Sequence, residues 1–130
     1  MSDFLTSNTM LMLEKSMNFQ WTKQNVILDN IANAETPNYK AKYVTFEDTL
    51  SQRIQAAAQQ NQPLSSMRNV LATASPTVRT DETESARMDG NGVNVTEQQL
   101  EMVRNAYQMQ YVMNAINSDL SLLRTAIRGQ

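Results

Sequence analysis

Apolar residues in the last third of the chain repeat on a heptad. Met102, Ala106, Met109, Met113, Ile116, Leu120, Leu123 and Ile127 step by 4, 3, 4, 3, 4, 3, 4. That spacing is the seam of a coiled coil, and its span far exceeds the ordinary helix of about 11 or 12 residues. Thr96 and Gln99, with Glu97 between them, read as a capping box at the start of this helix, and Gly129 lies just past its last periodic residue. Leu100, Val103, Tyr107 and Tyr111 form a second apolar face, about 100° round from the Met102 seam. One partner helix cannot bury both.

Near the other terminus, residues 6–34 contain neither Gly nor Pro. Met10, Leu13, Met17, Trp21, Leu28 and Ile31, with Gln24 completing the spacing, give a second helical stripe that must end before Pro37. Between the two helices the pattern breaks up. Phe46, Leu50 and Ile54 recur every four residues before Ala56, Ala57 and Ala58, predicting a short helix within residues 46–60. The stretch from Asn61 to Val95 is polar and rich in Ser, Thr, Asn and Gly, with small apolar clusters at Val70–Leu71 and at Val78. Loops and a pair of short strands are expected there, with a turn at Asp89-Gly90-Asn91-Gly92.

Burial decides the architecture. Each long helix carries a stripe that must be covered, and the middle is too polar to cover both. The expected fold is mainly α: long N- and C-terminal helices packed as an antiparallel coiled-coil hairpin, with a largely irregular middle holding the short helix and short strands. Residues 1–35, 36–95 and 96–130 are then a first helix, a hinge with an outer segment, and a last helix, together one domain. The uncovered second face implies another helical neighbour, from a second subunit or, in a small monomeric bundle, from the helix of Phe46, Leu50 and Ile54 as a third layer.

Composition narrows the chemistry. The 130 residues include no Cys and no His, which removes the usual zinc and thiol sites and the histidine triads and leaves only enzymes built on Asp and Glu. Lys and Arg total 11 against 13 Asp and Glu, a net charge of -2, with no dense basic run. Nucleic acid is therefore not an expected partner, and neither is direct membrane insertion. The start, MSDFLTSNTMLMLEK, carries Asp3 where a secretory signal would carry Lys or Arg, and its apolar run Met10-Leu11-Met12-Leu13 is too short for one. Asp81, Glu82 and Glu84 stand in a Thr-rich loop and read as a solvated face rather than catalytic carboxylates. A calcium loop starting at Asp89 would need Glu at its twelfth position, where this chain has Leu100. No catalytic group, cofactor or metal is expected, and Lys40 and Lys42 read as surface charge.

One stretch is distinctive. In NIANAETPNYKAKYVTFE a helix stops at a proline and the chain leaves as an extended segment. Asn30 and Asn33 lie on one helix face, where their amides can bond carbonyls at a helix end or a neighbour's backbone. Ala32 and Ala34 keep that surface small, Pro37 stops the helix, and Tyr39 offers an amphipathic anchor. If Thr36-Pro37-Asn38-Tyr39 is a type II turn, Asn38 must take positive φ.

This stretch, with DGNGVNVTEQQLEMVRNAYQMQY near the other end, closely resembles the signature of the flagellar rod and hook axial proteins, and among them the proteins of the proximal rod. The matching positions are Asn30, Ile31, Ala32, Asn33, Ala34, Thr36, Pro37, Tyr39 and Lys40, with Asn105 and Tyr107 matching less distinctively. Asn38 stands where many relatives have Gly. The resemblance implies a structural subunit, not an enzyme. It would be exported without a cleaved signal and polymerise helically on the periplasmic side of the inner membrane. Its terminal helices would form the drive shaft and the wall of the export channel. Implied partners are copies of itself, other rod subunits, and the adaptor proteins of the inner-membrane ring and export gate. A soluble helical adaptor or export chaperone, holding a partner's amphipathic helix in a Met-rich groove, is the alternative of a different class.

Overall fold

The computed structural model describes residues 2–46, 51–52, 55–56, 59, 64–83 and 88–129. In chain order they form α1 (Ser2–Ala32), β1 (Lys42–Thr45), α2 (Leu64–Ala72), β2 (Thr77–Thr80) and α3 (Val95–Arg128). The two long helices pack antiparallel: Gln20 and Gln24 meet Asn105, Lys23 meets Glu101, and Asn30 meets Gln98. The fold is thus mainly helical, built on the expected hairpin.

Both helix ends follow local chemistry. α1 begins at Ser2 rather than near Thr6, because no residue before Thr6 breaks a helix. α3 starts one residue before the expected cap. Asn94, not Thr96, is the N-cap; its backbone is extended and its side chain accepts from Glu97 N. Asn ranks among the strongest N-caps, and Val95 already continues the helix, which leaves Thr96 inside the first turn. At the far end Gly129 turns left-handed at φ 69 and donates to Thr125 O, as the sequence implied.

The packing seam keeps its heptad but shifts one of its two rows. Met102, Met109, Ile116 and Leu123 are partly buried, whereas Ala106, Met113, Leu120 and Ile127 are exposed. Their places at the interface are taken by Asn105 and Val112, both buried. The reason is polar. Asn105 Nδ2 donates to Gln20 O and Gln24 Oε1 (3.0 and 2.9 Å), which rolls α3 about one residue away from the purely apolar row. A count of apolar positions cannot register an asparagine as a seam residue.

α1 departs from its expected stripe in a similar way. Met10, Leu13, Met17, Gln24 and Ile31 are half-buried, but Trp21 and Leu28 are exposed, and Phe19, Val26 and Ile27 are buried instead. α1 has neighbours on two sides, α3 on one and β1 with α2 on the other. Phe19 stacks on Phe46 with ring centroids 5.2 Å apart, and Ala74 and Val44 close around them.

The pair of short strands is present. β1 and β2 run antiparallel with Lys42 opposite Thr80 and Val44 opposite Val78, and Asp81 N donates to Ala41 O beyond them. The short helix expected within residues 46–60 lies largely outside the described residues. Where loops were expected after Asn61, Leu64–Ala72 forms α2. Its Leu71 is buried, as is Ala74 just beyond its end, so packing against α1 favours a helix that the polar composition concealed.

Candidate functional site

The signature stretch folds into a hydrogen-bonded hinge. Asn30 lies in the last turn of α1 with no exposed surface. Its Nδ2 donates to Lys42 O (2.7 Å) and Gln98 Oε1 (3.0 Å), while its Oδ1 accepts from Lys42 N (2.8 Å). One side-chain amide therefore binds both backbone groups of a β1 residue, as a neighbouring strand would, and ties them to α3. Asn33 turns back instead, donating to Asp29 O (2.8 Å) and Asp29 Oδ1 (3.2 Å), and its Oδ1 accepts from Thr36 Oγ1 (3.2 Å). Ala34 is buried and Ile31 half-buried, but Ala32, Thr36, Pro37 and Lys40 are exposed.

Beyond Ala32 the chain reverses at Thr36–Tyr39. Tyr39 N donates to Thr36 O (3.3 Å), and Asn38, the third residue of the turn, has φ 58. That is the left-handed conformation the type II turn demands after a proline, and Asn is the residue after Gly that accepts it most readily. Tyr39 then folds back. Its hydroxyl donates to Asp29 Oδ2 (3.1 Å), where the Lys42 ammonium also pairs at 2.7 Å, and that ammonium lies 5.7 Å from the centre of the Tyr39 ring. The hydrogen bond from Lys42 is the chief reason the Asp29 carboxyl titrates below its usual range. The same bond raises Lys42, and burial raises Tyr39.

A second turn grips the first. Asn91, 1% exposed, donates from Nδ2 to Asn33 O (3.0 Å) and Thr36 O (2.6 Å), capping α1 with a side chain from far along the sequence. Its Oδ1 accepts from Val93 N (2.8 Å) and its backbone N–H donates to Asp89 Oδ1 (3.0 Å). Asn38 N donates to Asp89 O (3.2 Å) and Gly92 N to Tyr39 O (2.9 Å). Gly90 has φ 73, a left-handed conformation that strains any residue with a Cβ, and a Cβ there would also push aside the Asn38 side-chain oxygen, so the position favours glycine. The Asp89–Gly92 turn was legible in the sequence; its role as a clasp was not.

Sequence reasoning also passed over Asp29 and Gln98, and took Lys42 for surface charge. No spacing rule marks them, because each acts on a residue brought near only by the reversal of the chain. Lys40 pairs with Glu82 at 2.8 Å on the exposed side of the sheet, which raises its pKa. Asp81 accepts from Thr83 N (2.9 Å), and this lowers its carboxyl. Glu84 lies outside the described residues. Among the described residues no three potential metal ligands come together.

Away from the hinge the helices present apolar surface outward. Leu100, Val103, Tyr107 and Tyr111 are exposed along α3, joined by the displaced row of Met113, Leu120 and Ile127. On α1 Met12, Trp21 and Leu28 are exposed, and an open groove of about 510 Å³ runs between Met10, Met17, Trp21 and Ile116, with Glu14 and Asn18 at its edge.

Comparison with known proteins bears on this arrangement. The family model described as "Flagella basal body rod protein" matches residues 10–40, most of α1 together with the hinge turn. The flagellar basal body rod protein FlgB of Bacillus subtilis is 30% identical over 136 aligned positions, covering 96% of this chain and 97% of the relative. The chain belongs to the flagellar basal body rod protein family. FlgB of Cereibacter sphaeroides is 32% identical over 84% of this chain and 85% of its own length, and FlgB of Aeromonas hydrophila 31% identical over 81% of each. The matched segment ends at Lys40 and so contains the signature from Asn30 onward. In this rod protein family member that segment carries the α1 half of the clasp. Among the described residues no helix is long and apolar enough to cross a membrane.

Proposed function

We propose that this rod component polymerises helically through its two terminal helices, which form the proximal drive shaft and the wall of its export channel. In this reading residues 1–35 and 96–130 build the inner wall, and residues 36–95 lead outward and bridge subunits. Its neighbours are further copies, other rod subunits, and the adaptor proteins of the inner-membrane ring and export gate. It reaches the periplasmic side of the inner membrane without a cleaved signal.

The observation that carries this reading is the uncovered apolar surface of both helices. Tyr107, Tyr111 and Ile127 are 71%, 77% and 84% exposed in the single chain. Isolated exposed apolar residues are ordinary, but a continuous face along a helix marks a contact surface. The groove beside Trp21 lies between α1 and α3, whereas the face of Tyr107 and Tyr111 lies on α3 alone, and the two differ in shape. Contacts of that kind between copies are heterologous and extend into filaments.

Leu120→Asp tests the proposal. Leu120 is exposed in the single chain, so the substitution should change monomer stability by no more than about 0.5 kcal/mol, yet place a charge in a subunit contact. Cells carrying it should lack rods and fail to swim, while the purified protein melts like the parent. Normal motility, or a parent chain that forms only closed dimers at high concentration, would instead favour the adaptor reading.

A further inference from the structure

Asn91–Gly92 is the one Asn-Gly dipeptide in the chain. In such a pair the backbone nitrogen reaches the preceding side-chain amide with least hindrance, because glycine has no Cβ and its backbone turns freely. The Gly92 nitrogen, on losing its proton, attacks Asn91 Cγ. The Cγ–Nδ2 bond breaks, ammonia leaves, and a five-membered succinimide closes. Water then opens that ring at one of its two carbonyls, giving aspartate or the β-linked isoaspartate at this position. Water is the only co-reactant.

In the folded chain every atom of this reaction is engaged. Gly92 N–H donates to Tyr39 O at 2.9 Å, Asn91 Nδ2 donates to Asn33 O and Thr36 O, and Asn91 Oδ1 accepts from Val93 N. The side chain is 1% exposed. Attack requires Gly92 to leave Tyr39 and Asn91 to leave its pocket, which means that the clasp must open first. Afterwards it cannot close in the same way. Aspartate would set a carboxylate oxygen against the Asn33 and Thr36 carbonyls, where the donor had been, and a buried charge facing acceptors is strongly disfavoured. Isoaspartate adds a backbone atom between this residue and Gly92, moving the Gly92 nitrogen off Tyr39 O.

We propose that Asn91 is a deamidation site protected by the fold, and that its conversion releases the hinge clasp irreversibly. A chain kept open at the clasp loses the amide that closes it; a folded chain keeps it. The consequence is local, because α1 and α3 hold one another through Gln20, Lys23, Gln24, Glu101 and Asn105, well away from the clasp.

The test incubates the full-length protein at mildly alkaline pH in three forms: native parent, parent in denaturant, and native Gly90→Ala. Peptide mass spectrometry follows deamidation at Asn91, with Asn117 on the exposed face of α3 as an internal reference. Denatured parent and Gly90→Ala should deamidate at Asn91 about tenfold or more faster than native parent, since reaction in the native chain waits on local opening. Asn91→Asp, made directly, should exchange its Gly92 and Val93 amide protons faster than the parent while keeping the parent's helix content by circular dichroism. Equal rates at Asn91 in native and denatured parent would overturn the proposal. So would a Gly90→Ala chain that reacts no faster than the parent, or an Asn91→Asp chain with parental protection at Gly92 and Val93.

Discussion

The hinge and the outer faces of the helices divide polar and apolar groups in opposite senses. The fully buried side chains among the described residues are three asparagines, Asn30, Asn91 and Asn105, whereas Tyr107, Tyr111, Leu122 and Ile127 stand largely in solvent. Most folded proteins reverse this. The difference separates two tasks. Hydrogen bonds are directional, so a buried and satisfied amide fixes one path for the chain at a point where little apolar area is available. Apolar contact is non-directional and scales with area, which suits a face that meets another chain. A short segment thus sets the geometry, and long surfaces are left for assembly.

Substitution at Asn30 tests the contrast hardest. Asn30→Ala orphans both backbone groups of Lys42 and the Gln98 amide, and should lower stability by about 3 kcal/mol in urea unfolding, given about 1–3 kcal/mol for each buried group left unsatisfied. Tyr107→Ala, on the outer face, should stay within about 0.5 kcal/mol. Comparable losses for the two would erase the distinction between hinge and face.

Asn105 should matter less. Its Oδ1 and the neighbouring Gln20 Oε1 are buried with no hydrogen-bond partner among the described residues, so the native arrangement already carries an unmet desolvation cost. Asn105→Ala should cost about 1–2 kcal/mol by thermal unfolding, below Asn30→Ala, since one orphaned acceptor is removed along with the donor. A larger loss than at Asn30 would locate the anchor of the hairpin in mid-helix rather than at the hinge.

The turn offers a finer probe. Asn38→Val forces a β-branched residue to φ 58 and should cost about 1–2 kcal/mol, whereas Asn38→Gly should be nearly neutral. Hydrogen exchange at Tyr39 and Gly92 would report the loss locally. Equal tolerance of Val and Gly would mean that the turn relaxes to another geometry.

Acidity should have the smallest effect. Lys42 holds the Asp29 carboxyl below its ordinary value of 3.8, and Lys23, then Arg104, hold Glu101 below 4.5. A depressed carboxyl stabilises the fold above its unfolded pKa and loses that contribution as pH falls through the folded value. Stability should thus be flat from neutral pH down to the ordinary carboxylate range and decline below it. Lys42→Met should flatten part of that decline, and an unchanged acid limb in this variant would remove the Asp29 pair from the account. Both pairs are partly exposed, so solvent screens them and their contribution is small.

The sequence by itself determined the two long helices, their antiparallel pairing, the stop at Pro37, the positive φ of Asn38 and the left-handed end at Gly129. The pairing follows from the need to bury both apolar stripes, and the rest from periodicity and local backbone chemistry, which act within a few residues. Apolar spacing also placed half of the seam, the row of Met102, Met109, Ile116 and Leu123, since that row is common to both heptad settings. Only the tertiary structure decided the other row, because the roll of α3 turns on the bonds of Asn105 to Gln20 and Gln24, residues some eighty positions away. The same holds for Asn30 bonding β1 and for Asn91 capping α1. Polar side chains of this kind carry no periodic signal, and their roles exist only once chain reversal brings a distant carbonyl within hydrogen-bonding reach.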